Sequence, residues 1–161
     1  SAPNLDSGRP HGTSDAWLGF CHTIGSMSPP KASARILLVD DDPGLLNVVW
    51  KCLETWGYET LKASTGEAAL YVAETQQPHL ILLDILLPKM KGRDVCKRLK
   101  ANPATQHIPV IFLTALGLAD FVKAGLEAGA EDYLIKPFQN EDLKERIKVC
   151  LIRHGHKALV A

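Results

Sequence analysis

The 161-residue sequence lacks most of the features that place a protein by composition alone. No apolar run approaches the roughly 20 residues that a membrane-crossing helix requires. The N-terminus lacks the charged, apolar and small-residue order of a signal peptide. Neither sign of charge is in excess, with 18 Lys and Arg against 18 Asp and Glu. Without a basic surplus, no direct contact with nucleic acid or an anionic membrane is expected. The four cysteines, Cys21, Cys52, Cys96 and Cys150, lie far apart, and none shares zinc-ligand spacing with a histidine. Three of them fall on the apolar faces of predicted helices, which suits buried reduced thiols and a cytoplasmic location better than a disulfide-bonded secreted domain. His154-x-His156 reads as a solvated helix end.

What is present is a strict alternation, which begins only after an N-terminal arm. Residues 1–33 are rich in Ser, Gly, Pro and His without a sustained period and read as a flexible arm. Within it, Gly25-Ser26-Met27 reads equally as a vector-derived junction before a native start at Met27. The apolar knot Trp17-Leu18-Gly19-Phe20 is the arm's one exception. Residues 34–154 form the expected domain, and 155–161 a C-terminal tail.

Ile36 to Val39 is a buried strand ending in Asp40-Asp41-Asp42. Asp42-Pro43 is a helix start, and Leu45, Val49, Cys52, Leu53 and Trp56 share one face up to a stop at Gly57. A strand near 58–62 follows, and Ser64-Thr65-Gly66-Glu67 has the form of a capping box that opens a second helix. Leu80 to Leu83 is the most apolar run and ends in Asp84; Pro88 and Gly92 break the chain before a third helix over 93–100. Val110 to Leu113 ends in Thr114, and a fourth helix is predicted over 118–128. The last strand, 133–135, ends at Lys136-Pro137, and a final helix buries Leu143, Ile147, Cys150 and Leu151. Short apolar strands alternating with amphipathic helices predict an α/β fold with a parallel sheet covered on both faces.

In such sheets functional groups gather beyond the carboxyl ends of the strands. Asp40, Asp41, Asp84, Thr114 and Lys136 each follow an apolar run directly and fall on that edge. Taken singly, each has an ordinary reading as a cap, a turn residue or a solvated lysine. Their recurrence at successive strand ends is what those readings leave unexplained. Three close carboxylates repel one another unless cations neutralise them, and Mg²⁺ takes oxygen ligands of this kind. A carboxylate beside Mg²⁺ can act as a nucleophile and form an acyl phosphate. Lys136 and the Thr114 hydroxyl are then available to stabilise the phosphoryl oxygens.

The segments ILLVDDDP, LILLDILLPKMKG, VIFLTA and EDYLIKPF resemble, in order and spacing, the motifs of bacterial two-component receiver domains. The resemblance runs from Arg35 to about Arg153 and is that of a stand-alone, chemotaxis-regulator type. It implies a flavodoxin-like (βα)5 fold, a doubly wound five-stranded sheet in strand order 2-1-3-4-5. Asp84 would be the phosphoacceptor, receiving phosphate from a sensor histidine kinase or a phosphotransfer protein. Asp41, Asp84 and the Leu86 backbone carbonyl would hold Mg²⁺ directly and Asp40 through water, while Lys136, across a cis bond to Pro137, would contact the phosphoryl group. Thr114 and Tyr133 would switch the face around the fourth helix and last strand toward a downstream target or output domain. That face pairs some members as phosphorylation-dependent homodimers. Such a module is not a turnover enzyme. Many receivers carry Asp or Asn at the position of Lys91. Leu86 and Leu116 stand where polar groups in other members guide an attacking water, so slow dephosphorylation is expected.

Three alternatives remain at this level. The chain could be the receiver of a larger transcription regulator or hybrid histidine kinase, or a receiver unable to take phosphate, although every expected site residue is present. A haloacid-dehalogenase-like phosphatase is the third, through Asp40-x-Asp42, although Gly44 replaces that motif's Thr or Val.

Overall fold

The computed structural model describes residues 33–115, 123 and 125–160. The arm over 1–32, Leu116 and most of the predicted fourth helix lie outside the described residues. The elements, in order, are β1 (Arg35–Val39), α1 (Pro43–Thr55), β2 (Glu59–Ala63), α2 (Gly66–Gln76), β3 (Leu80–Asp84) and α3 (Gly92–Ala101). They are followed by β4 (Val110–Thr114), β5 (Asp132–Ile135) and α4 (Asn140–Arg153). All paired strands are parallel, in the order β2-β1-β3-β4-β5. This is the flavodoxin-like order.

The apolar runs form strands rather than helix because their two-residue period divides each between two covered faces. Leu37, Val39, Ile81, Leu83, Val110 and Phe112 join one core, roofed by Ala69 and Ala73 of α2 and Val95, Cys96 and Leu99 of α3. Ile36, Leu38, Leu80, Leu82, Ile111 and Leu113 join the other, under Val49 and Leu53 of α1 and Leu143, Ile147, Cys150 and Leu151 of α4. Burying one such side chain contributes about 1.5–3 kcal/mol, so the central strands hold the sheet's level with little freedom to slip.

Local signals set the element ends. Asp42 caps α1, accepting from the Gly44 and Leu45 amides at 2.9 and 3.4 Å, with Pro43 in the first turn. Gly57, at φ 88°, releases the chain from α1 in a conformation that side-chain-bearing residues rarely adopt. The capping box is displaced by one residue. Thr65, not Ser64, is the extended N-cap and accepts from the Ala68 amide at 3.1 Å. Glu67 therefore sits one place short of the position from which it could reach back to the cap, though it still favours the helix N-terminus by charge.

Two expectations about polar and thiol groups also need correction. Cys96 and Cys150 are buried as expected, but Cys52 is only half-buried, at the edge of the α1 face. The C-terminal histidines are not a solvated end. The His154 ring lies 2.7 Å from Glu131 Oε1, and His156 packs edge-on against His79 with ring centroids 4.9 Å apart. A short 3-10 turn, Lys157–Leu159, follows, and Leu159 and Val160 pack onto the second core. The sequence pattern missed this because two apolar residues are too few to show a period.

Candidate functional site

Strand register levels the candidate residues. Val39 pairs with Leu83, so Asp40 and Asp84 stand side by side at the ends of adjacent strands. Asp84 in turn pairs with Leu113, and Thr114 pairs with Ile135, which places Thr114 and Lys136 on the same edge. The chain winds one way from β1 to β2 and the other way through β3, so Asp40 and Asp84 flank the crevice where the winding reverses.

Asp40 is 1% exposed, which would be costly for an unpaired charge. Both its oxygens are engaged: Oδ1 accepts the Asp42 amide at 3.0 Å, and Lys136 Nζ donates to Oδ2 at 2.7 Å. Asp84 is 7% exposed. Its Oδ1 accepts the Leu86 amide at 3.2 Å, and its Oδ2 lies 3.5 Å from Lys136 Nζ. Asp41 is exposed at the rim, and one carboxylate oxygen from each of Asp40, Asp41 and Asp84 lies within 4.8 Å of the others. Burial raises the Asp84 carboxyl above its ordinary value; Lys136 opposes the shift, Asp40 adds to it, and the Leu86 amide opposes it. Asp42 does not enter the cluster, because its carboxylate caps α1.

Lys136 is fixed at both ends. Its amide donates to the Thr114 carbonyl at 2.7 Å while its ammonium bridges the two buried carboxylates. The Lys136-Pro137 bond is cis, as the resemblance implied. Thr114 is fully buried at the end of β4. Tyr133 stands two register steps below Thr114, opposite Phe112, half-buried against the first core. It is not among the groups gathered at Asp84. In the loop after β3, Ile85 and Leu87 turn into the core while Leu86 is 51% exposed.

The sequence pattern treated Gly92 only as a break. In the structure its amide donates to the Ile85 carbonyl at 2.8 Å, and a Cβ there would run into the backbone of Asp84 and Ile85. Gly92 thus lets α3 begin directly against the strand end that carries Asp84. A glycine eight residues after a strand-terminal carboxylate was the available signal, but spacing alone does not separate close approach from a turn.

The donor set can be tested for a metal. Three carboxylates against one ammonium leave two negative charges, and the ligand atoms are oxygens only. A hard divalent cation such as Mg²⁺ fits that chemistry, whereas one that prefers nitrogen or sulfur does not.

Comparison with known proteins agrees with this geometry. Residues 36–148 match the family described as response regulator receiver domain. The chain is 43% identical over 119 residues to the DNA-binding dual master transcriptional regulator RpaA of Synechocystis sp., covering 74% of this chain and 49% of that protein. The chain spans about half the length of the curated relatives it matches. A response regulator structure from Chloroflexus aurantiacus superposes with TM-score 0.73 at 39% identity, covering 75% of this chain and 99% of that one. The receiver domain of a sensor histidine kinase from Pseudomonas aeruginosa, with magnesium coordinated in its active-site cleft, gives TM-score 0.69 at 32% identity over 77% and 99%.

Proposed function

The chain belongs to the response regulator receiver domain family, and from that premise we propose that Asp84 is its phosphoacceptor. Receiver domains are signalling modules of two-component systems rather than turnover enzymes. The observation that carries the proposal is the placement of Lys136 Nζ, 3.5 Å from Asp84 and 2.7 Å from Asp40, in a cluster still short of positive charge.

A carboxylate oxygen of Asp84 attacks the phosphorus of a phosphohistidine on a histidine kinase or phosphotransfer protein. The P–N bond breaks, its electron pair stays with the imidazole, and an acyl phosphate forms on Asp84. Bound by Asp41, Asp84 and the Leu86 carbonyl, with Asp40 acting through water, Mg²⁺ would neutralise the phosphoryl oxygens. Lys136, already held by Asp40 and by the Thr114 carbonyl, turns its ammonium to those oxygens. Thr114 follows at the end of β4, and Tyr133 responds on the neighbouring strand, so the surface beside β5 reports the phosphorylated state. The work is done in the cytoplasm, where kinase and target meet the domain; among the described residues no helix is long and apolar enough to cross a membrane.

The reading as a haloacid-dehalogenase-like phosphatase is disfavoured by a specific bond. Its second motif carboxylate would be Asp42, which is committed to capping α1. A receiver within a transcription regulator is favoured over a stand-alone relay by one finding: RpaA carries that description, and this chain covers about half of it. The downstream partner is then an output domain.

The experiment is intact-mass measurement after incubation with acetyl phosphate and Mg²⁺, comparing the native chain with Asp84→Ala. A gain of one phosphoryl group in the native chain alone is expected. Equal uptake by Asp84→Ala, or none by either chain, overturns the assignment.

A further inference from the structure

The far end of β5 carries a second cluster that the phosphoryl chemistry does not use. Glu131 precedes β5, whereas Lys136 follows it, so the cluster lies at the sheet edge opposite Asp84. One ligand atom each from Glu131, Cys150 and His154 lies within 4.8 Å of the others. Cys150 and His154 are four residues apart, which puts both on one side of the last turn of α4, and the His154 amide closes that turn on the Cys150 carbonyl at 3.1 Å. Glu131 is held from the other side, its amide donating to the Val110 carbonyl at 2.9 Å. Two rigid elements therefore present a carboxylate oxygen, an imidazole nitrogen and a thiol sulfur toward one point.

We propose that Glu131, Cys150 and His154 form a zinc site that clamps β5 to the end of α4, with solvent as fourth ligand. The donor types decide the metal. Zn²⁺ takes S, N and O together in a tetrahedron with bonds of about 2.0–2.3 Å, whereas Mg²⁺ and Ca²⁺ take oxygen. Glu131 Oε1 and His154 Nε2 are 2.7 Å apart, the distance of a hydrogen bond, so zinc binding opens the pair to about 3.3 Å, with the proton of the neutral imidazole carried on Nδ1 to leave Nε2 free for the metal. The second Glu131 oxygen stays beside Arg153, 3.6 Å away, and keeps the carboxylate oriented. Binding also expels the thiol proton: Cys150–SH and Zn²⁺ give Cys150–S–Zn and H⁺, with no redox change. Burial first, then the nearby Glu131 charge, holds that thiol up at about 12, and the metal has to offset this.

The test uses the full chain with Cys21→Ser as background, titrated with Zn²⁺ by calorimetry and with Co²⁺ as a spectroscopic probe. One equivalent is expected to bind, with a thiolate-to-cobalt charge-transfer band and tetrahedral cobalt absorption. Cys150→Ser should abolish the band. Because a serine at this buried position can loosen the core, Glu131→Gln and His154→Gln carry the test independently, each expected to weaken binding tenfold or more. His107→Ala, an exposed histidine elsewhere, should leave binding unchanged. All variants should still take phosphate on Asp84, which separates this site from the first. Absence of the band in the parent chain, its survival in Cys150→Ser, or full affinity in both Gln variants overturns the proposal.

Discussion

Replacing Asp84 with Asn should make the metal-free protein more stable. The reason lies in the balance of charges that the sheet imposes on one carboxylate. At an effective dielectric of about 20, Lys136 at 3.5 Å attracts Asp84 by about 5 kcal/mol. Asp40, buried with an oxygen within 4.8 Å, repels it by about 3.5 kcal/mol, whereas Asp41 is exposed and its repulsion is screened by water. Burial, the largest effect, and the Asp40 repulsion together outweigh the Lys136 attraction, which is why the Asp84 carboxyl is raised. Asn keeps the shape and an oxygen for the Leu86 amide while removing the charge. Asp84→Asn should therefore gain about 1–2 kcal/mol, or about 3–8 °C in melting temperature for a domain of this size. The assay is thermal unfolding of both chains in EDTA at neutral pH. The sign of the pH dependence follows from the raised Asp84 carboxyl. Its folded value lies above its unfolded one, so protonation favours the fold: the wild-type penalty is absent below the unfolded value and grows as pH rises through the folded value. The gap between the chains should narrow as pH falls toward 4, and excess Mg²⁺ at neutral pH should narrow it from the other side. An Asp84→Asn protein that melts at or below wild type in EDTA would refute the reasoning, because the carboxylates would then be neutralised by something other than Lys136.

Other perturbations test the remaining parts. Gly92→Ala forces a Cβ onto the backbone of Asp84 and Ile85 and should cost about 1–3 kcal/mol, read by urea unfolding, while lowering phosphate uptake at Asp84. Leu86→Gln replaces the exposed leucine of the loop after β3 and should shorten the phosphoryl lifetime in purified protein; a wild-type half-life of seconds with Mg²⁺ would contradict the expected slow dephosphorylation. Thiol labelling at pH 8 should modify Cys52 well before Cys96 and Cys150, whose thiols burial holds up at about 11 and about 12, until denaturant exposes all three together.

The strand-end residues were readable in the sequence because each is the first polar residue after a fully apolar run, a contrast that burial itself creates. Asp40, Asp84, Thr114 and Lys136 all lie where that contrast put them, and register then levels them. The capping of α2 was misplaced by one residue because Ser64 and Thr65 carry equivalent hydroxyls, and only backbone direction chooses between them. The cluster of Glu131, Cys150 and His154 was invisible because one member is distant in sequence and the other two lie at ordinary helical spacing. Gly92 and the docked tail were missed for a related reason: close backbone approach and a two-residue apolar contact leave no period.

The parallel sheet has one further consequence. Every group assigned to phosphoryl chemistry stands at a strand end or in the loop that follows, and the outward faces of α1 to α4 supply none. Those helical surfaces can therefore change residue by residue without disturbing the reaction, provided their inward stripes stay apolar. Descendants of one such domain can diverge in whom they listen to and whom they address while the switch between them stays the same, which lets many signalling lines run in one cell on a single chemistry.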